Sequence, residues 1–237
     1  MSKLIFFRHA QASFGADNYD ALSEKGIEQT ILLGKHLVAK KFKFDKIFVG
    51  PLQRQQHTFD IVKEVYEKNN LSIPAPILVD GLKEHLGHIA LDKILPQLQE
   101  TDVYIKGMIA KAKLNPKRAR ANRLLIFQYF MNEWVEGKIE VEGVVSWKNF
   151  RQNVRAGLAT ILQNTGSGET NAAFTSGGTI SSIAAESLKI MDEKVVASLN
   201  FSIRNTSYSS FFYSKGNFNL FALNELPHLP KEMVTFV

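Results

Sequence analysis

The apolar residues of this chain fall in short runs set between longer amphipathic stretches. Residues 4–7, Leu-Ile-Phe-Phe, are an unbroken run that stops at Arg8 and His9. A run that short, ending at polar and small residues, predicts a buried strand feeding a loop over residues 11–19. Residues 46–49, Lys-Ile-Phe-Val, read as a second strand, its apolar triplet closed by Gly50 and Pro51. Between the two, Ile27, Ile31, Leu32, Leu37 and Val38 recur near the helical period, and Ser23 stands where an N-cap would. Helical periodicity resumes over residues 52–66. Strand, helix, strand, helix predicts a βαβ sheet with right-handed crossovers.

Further along, residues 73–80 carry Pro74 and Pro76 before an apolar triplet, which predicts a short or edge strand. Residues 81–90 read as a loop bearing Glu84, His85 and His88. Residues 91–137 show helical patterning broken at Pro96 and Pro116 and no strand, so they are expected to form a helical cap inserted into a single domain spanning residues 1–237. Another helix is expected over residues 147–162, then a polar connection to a strand at residues 171–175. Ser176, Gly177, Gly178 and Thr179 follow it directly, ahead of a helix over residues 180–190. Residues 207–213 and 218–223 flank Lys215, Gly216 and Asn217 as a hairpin would. The expected fold class is α/β, a βαβ-type sheet carrying an inserted helical cap.

Composition narrows the chemistry. Of 237 residues, none is cysteine, so disulfides, thiolate nucleophiles and zinc–thiolate sites are excluded. No apolar run has the length of a membrane span, and the four apolar residues ahead of Arg8 are too few for a signal-peptide core. The expectation is a cytoplasmic protein without a membrane partner. The net charge of +6 is partly local, in Lys111, Lys113, Lys117, Arg118, Arg120 and Arg123. Few aromatics interleave that cluster, so no nucleic-acid partner is expected. A solvated helix face, or one that attracts small anions, accounts for it.

The strand ends carry the candidate chemistry, since ligands of open α/β sheets bind at the carboxyl ends of the strands. The first strand offers Arg8 and His9, and the second leads to Arg54 in the first turn of its helix. Ser176 and Gly177 stand at a helix start, where free amides receive anions. Glu84 lies in the loop after Asp80. Two arginines, a histidine and an acid suit phosphoryl transfer through a covalent intermediate. Arginines hold the phosphate and its transition-state charge, a histidine attacks phosphorus, and an acid protonates the leaving oxygen. Such a set needs no metal or other cofactor.

These residues stand in motifs that resemble the histidine phosphatase superfamily, in its phosphoglycerate-mutase-like branch. Arg8-His9-Ala10 is similar to that family's Arg-His-Gly. Leu22-Ser23-Glu24-Lys25-Gly26 with Gln29 is similar to its Leu-(Thr/Ser)-x-x-Gly-x-x-Gln. Gly50-Pro51-Leu52-Gln53-Arg54 is similar to Ser-Pro-Leu-x-Arg. Leu82-Lys83-Glu84 resembles its proton-donor stretch, and Thr175-Ser176-Gly177-Gly178 its Thr-His-Gly-Gly. The resemblance implies that His9 becomes phosphohistidine, that Arg8 and Arg54 clamp the phosphoryl group, and that Glu84 acts as acid and then as base. It also implies a three-layer α/β/α sandwich with a mainly parallel sheet and an inserted helical cap, and a small phosphorylated substrate; it leaves the oligomeric state open.

Three positions depart from the pattern. The family's second histidine is here Ser176, which donates one hydrogen bond and carries no charge. Gly50 replaces a serine, and Ala10 a glycine that could take positive φ. With Ser176 in the pocket, the chain reads as a phosphomonoester hydrolase of reduced or retuned activity. Two alternatives stand beside it: a non-catalytic or very slow phospholigand-binding relative, and a mutase-type phosphotransferase. His57, His85 and His88 border the motifs, with exposed or structural roles expected; either of the last two could stand in for the missing histidine. His36 and His228 are expected to be structural, and Asp17, Asp20, Glu24 and Glu28 to be loop and helix-start charges.

Overall fold

In the computed structural model, β1 (Ser2–Arg8), β2 (Lys46–Val49), β3 (Pro76–Leu78), β4 (Thr170–Thr175), β5 (Tyr208–Ser214) and β6 (Asn217–Glu225) form one sheet, in the order β3-β2-β4-β1-β5-β6. The structure describes residues 1–13, 20–214 and 216–236, the side chains of residues 116 and 120 apart. Most of the expected loop over residues 11–19, with Asp17, and Lys215 of the expected hairpin loop lie outside the described residues. The four strands from β3 to β1 are parallel, and β5 and β6 add an antiparallel edge. The fold is mixed α/β with a mainly parallel sheet, as expected. β3 is the edge strand that Pro74 and Pro76 foretell.

Among the described residues eight α-helices join the strands: α1 (Glu24–Ala39), α2 (Gln53–Lys68), α3 (Gly87–Thr101), α4 (Val103–Leu114), α5 (Ala119–Val135), α6 (Trp147–Gln163), α7 (Gly177–Leu188) and α8 (Glu193–Ser202). β1 has both faces buried, which is why its sequence is a run rather than an alternation. Ile5 and Phe7 face one way, into a core with Leu33 and Leu37 of α1 and Phe59, Val62 and Tyr66 of α2. Phe6 faces the other way and meets Phe211 edge to face, with ring centroids 5.6 Å apart.

One helix break and one whole helix differ from expectation, and α7 starts three residues earlier than expected, at Gly177. α3 runs through Pro96 without a break, its buried residues Ala90, Leu91 and Leu98 lying on both sides of it. Packing of that face outweighs the one backbone bond a proline removes. The break falls at Asp102, whose carboxylate caps α4 by accepting from the Ile105 amide at 2.9 Å. α8 is missing from the sequence reading. Its cap, Asp192 Oδ1 accepting from the Lys194 amide at 2.9 Å, was legible as a start signal.

The chain divides into two compact units, Met1–Glu84 with Gln152–Val237, and His85–Arg151. The second holds α3, α4 and α5. His85 is buried in it among aromatic rings, with centroids 6.1, 5.6 and 5.5 Å from Trp134, Trp147 and Phe150. Loop exposure was expected for His85; the aromatic cluster encloses it instead.

In the first unit the His36 and His228 rings lie tilted to each other, 5.9 Å apart, and each stacks on Tyr208, at 6.3 and 6.4 Å. The Thr206 hydroxyl donates to the Asn205 carbonyl, so His228 Nε2–H donates to Thr206 Oγ1, at 3.0 Å. His228 Nδ1 is then a buried lone pair with no partner among the described residues. A proton there would lack an acceptor. Burial first, and then the neighbouring His36, push the His228 pKa down from 6.5 to about 4. The folded state binds the proton less readily than the unfolded chain, so this contribution is complete above pH 6.5 and is lost as pH falls toward 4. The loss is on the order of 3 kcal/mol. In urea unfolding series across that range, His228→Phe should flatten the acid fall in stability. Equal slopes for the two proteins would remove His228 as its source.

Candidate functional site

The loop after β1 begins with His9, whose amide donates to the Thr175 carbonyl of β4 at 2.8 Å. The ring is buried. Its Nδ1 lies 2.7 Å from the Ala10 carbonyl, which can only accept, so Nδ1 carries the proton. Nε2 is left as a lone pair and accepts from Arg54 Nε–H at 3.1 Å. Burial, then the charges of Arg54 and Arg8, hold the His9 pKa well below 6.5, against the pull of the Ala10 carbonyl. A neutral imidazole of fixed tautomer with a lone pair beside a guanidinium has the form of a nucleophile toward an anionic phosphorus centre.

Arg54 is buried in the first turn of α2. Its Nη1 pairs with Asp20 Oδ1, while Asp20 Oδ2 accepts from the Gln53 amide at 2.7 Å. Asp20 is therefore a partner of Arg54 and the α2 start, where the sequence suggested only a loop charge. Thr58 ties the same turn to the His9 loop: its hydroxyl donates to the Arg54 carbonyl at 2.7 Å and accepts from the Ala10 amide at 3.1 Å.

The start of α1 anchors the other side of that loop. Ser23 caps α1 by accepting from the Gly26 amide at 3.0 Å, and its own amide donates to the Gln11 carbonyl at 3.0 Å. A Cβ on Gly26 would sit 2.2 Å from that carbonyl, so only glycine lets helix and loop meet. Gln29 Oε1 accepts from the Gln11 amide at 3.0 Å, and its Nε2 donates to the Met233 carbonyl at 2.7 Å and to Thr235 at 2.8 Å. The Ser, Gly and Gln of this motif are the fastenings of the His9 loop.

At the next strand end, Ser176 is the N-cap residue of α7. Its hydroxyl caps no amide; fully buried, it accepts instead from Gln55 Nε2 at 2.7 Å. The Gly178 amide, in the first turn of α7, donates to Glu84 Oε2 at 3.0 Å, so a carboxylate already occupies part of that anion-accepting end. Arg8 reaches the same place. A Cβ on Gly177 would lie 3.4 Å from its Nε and 2.6 Å from Asn200 Oδ1. Arg8 Nη1 donates to the Ile203 carbonyl, and Nη2 to the Phe236 carbonyl at 2.8 Å.

The structure thus gathers Arg8, His9, Arg54, Glu84, Ser176 and Gly177 within the first unit, at the carboxyl ends of β1 and β4 and the starts of α2 and α7. Gln55, Asp20 and Thr58, at its polar contacts, were not found from sequence. Ala10 takes the glycine position without strain, since it is not among the positive-φ residues. His57 is half-buried on α2, and His88 lies in the first turn of α3. Among the described residues, no group of three or more His, Asp or Glu is placed to hold a metal ion, and no helix is long and apolar enough to cross a membrane.

The model of the histidine phosphatase superfamily (branch 1) matches residues 4–93. No curated protein matches the chain by sequence. Among solved structures, YhfR of Bacillus stearothermophilus is 18% identical with a TM-score of 0.65, covering 96% of this chain and 99% of its own. The phosphoglycerate mutase of Bacillus anthracis is 17% identical with a TM-score of 0.65, over 96% and 94%. The phosphoserine phosphatase of Entamoeba histolytica, solved with 3-phosphoglyceric acid, is 18% identical with a TM-score of 0.61, over 97% and 100%. This chain has the histidine phosphatase fold, and over residues 4–93 it carries the sequence pattern of that superfamily.

Proposed function

We propose that this chain is a phosphomonoester hydrolase that works through a phosphohistidine on His9 and needs no metal. The observation that carries the reading is the state of His9: buried, neutral, its proton on Nδ1 and its Nε2 lone pair against Arg54. In the first step Nε2 forms a bond to phosphorus as the bond to the ester oxygen breaks, and Glu84 gives that oxygen its proton. Arg8 and Arg54 carry the charge on the equatorial oxygens. In the second step the Glu84 carboxylate takes a proton from water as the water oxygen attacks phosphorus. The N–P bond breaks and inorganic phosphate leaves. Ser176 occupies the place of the family's second histidine and donates a neutral hydrogen bond where that residue would bring charge, so turnover should be slow.

Solved neighbours include a phosphoserine phosphatase and a phosphoglycerate mutase, so hydrolysis and transfer share this fold. The test is hydrolysis of p-nitrophenyl phosphate with EDTA present, together with quenched labelling by a radioactive phosphate ester. EDTA-resistant turnover with a protein-bound phosphate that is labile in acid and stable in alkali supports the hydrolase. A labelled enzyme that passes its phosphate to an added phosphoglycerate but not to water would make it a mutase. Phosphate binding with neither label nor turnover would make it a non-catalytic phospholigand-binding protein.

A further inference from the structure

Ser176 does not stand alone in its place at the start of α7; Gln55 is bonded to it. This side chain is fully buried and uses its whole amide. Oε1 accepts from the Leu52 amide at 3.1 Å, while Nε2 donates to the Leu82 carbonyl at 2.9 Å and to Ser176 Oγ at 2.7 Å. The orientation is unambiguous, because a carbonyl at Leu82 can only accept and an amide at Leu52 can only donate. Ser176 Oγ is therefore an acceptor toward Gln55, and its own proton is left for a different acceptor. Gln55 fits only because residue 50 has no side chain. A Cβ on Gly50 would lie 2.1 Å from Gln55 Oε1 and 2.9 Å from the Leu82 carbonyl.

We propose that Gly50, Gln55 and Ser176 are one coupled unit that replaces the serine and second histidine of the family motifs, with Gln55 as the positioning residue that turns the Ser176 hydroxyl into a donor toward the bound phosphoryl group. The inference rests on the reading of Ser176 given above. An imidazole at position 176 would extend beyond its Cβ toward the room the Gln55 amide fills, and a serine at position 50 would evict that amide. Each of the three residues makes sense only with the other two. Gln55 also fixes the segment that leads to Glu84, since the Leu82 carbonyl it holds accepts from Thr175 Oγ1 as well, at 2.7 Å. A purely structural role in that segment would be independent of what stands at position 176, and this separates the two roles.

The experiment is a double-mutant cycle on Gln55→Leu and Ser176→Ala, read by calorimetric binding of inorganic phosphate and by kcat for p-nitrophenyl phosphate. Each single variant should weaken phosphate binding and lower kcat about 10²-fold, and the double variant no further, because both remove the same donor. Effects that multiply to about 10⁴-fold would overturn the proposal. A second arm guards against a Gln55→Leu protein that does not fold. Ser176→His alone should be less active than the unmodified chain, and Ser176→His with Gln55→Ala and Gly50→Ser should exceed it at least tenfold. If Ser176→His alone matches the triple variant, the proposal falls. Missing coupling in a protein that binds phosphate and turns over removes this inference alone. Failure to bind phosphate at all removes the phosphatase reading, and this inference with it.

Discussion

Replacing His9 with alanine should abolish p-nitrophenyl phosphate hydrolysis while leaving phosphate affinity within a few-fold. Removing the attacking atom of a covalent mechanism costs roughly 10⁵–10⁶ in kcat, whereas removing one donor to a transition state costs about 10²–10³. The size of the loss therefore tells a nucleophile from a helper. Affinity should persist because the ring is neutral in the folded chain. Binding charge comes from Arg8 and Arg54, and the variant touches neither. The pH profile gives a second check. Burial and the two arginines hold the His9 pKa well below 6.5, so Nε2 keeps its lone pair as the medium is acidified through 6.5, where an ordinary histidine is lost. Activity should accordingly persist into acid, with its acid limb below that value. A His9→Ala protein that keeps a thousandth of the activity, or an acid limb above 6.5 in the unmodified chain, would contradict the assignment.

Much of this site was legible because its determinants are local. Leu4–Phe7 declares a strand by being an unbroken run, and Arg8 and His9 follow it directly. The Ser23 cap and the Gly26 and Gln29 spacing sit within one turn or two of each other, so a linear motif captures them. What escaped has a different character. Gln55 and Asp20 are polar residues that read as surface on hydropathy, and only the assembled chain shows where each side chain points. Gln55 meets Leu82 and Ser176 across 27 and 121 residues of sequence. The acceptors of Arg8 are backbone carbonyls of Ile203 and Phe236, and a carbonyl leaves no trace in a sequence. The reason for Gly50 is likewise invisible until the Gln55 amide is seen in its place. Pro96 misled for the opposite reason: its local rule was overridden by the packing of Leu91 and Leu98.

Arg54→Ala and Arg54→Lys should separate charge from geometry at the centre of the site. Arg54 touches two groups at once: Nε donates to His9 Nε2 at 3.1 Å, and Nη1 pairs with Asp20. Alanine removes both contacts and a positive charge from a buried place. It should lower kcat/KM for p-nitrophenyl phosphate about 10³-fold, in line with loss of a preorganised donor to developing charge. It should also raise the His9 pKa, because the charge of Arg54 is, after burial, the largest cause of its depression. The sign follows directly: a base that binds its proton more readily is lost at higher pH, so the acid limb of the variant moves up. Lysine keeps the charge but not the planar fork that reaches His9 and Asp20 together. It should lose most of the rate, while its acid limb stays near that of the unmodified chain. A rate loss in Arg54→Ala with no movement of the acid limb would mean that His9 does not titrate in the rate-determining step. An Arg54→Lys protein with full activity would mean that bidentate geometry at this position contributes nothing, and the clamp would then have to lie with Arg8.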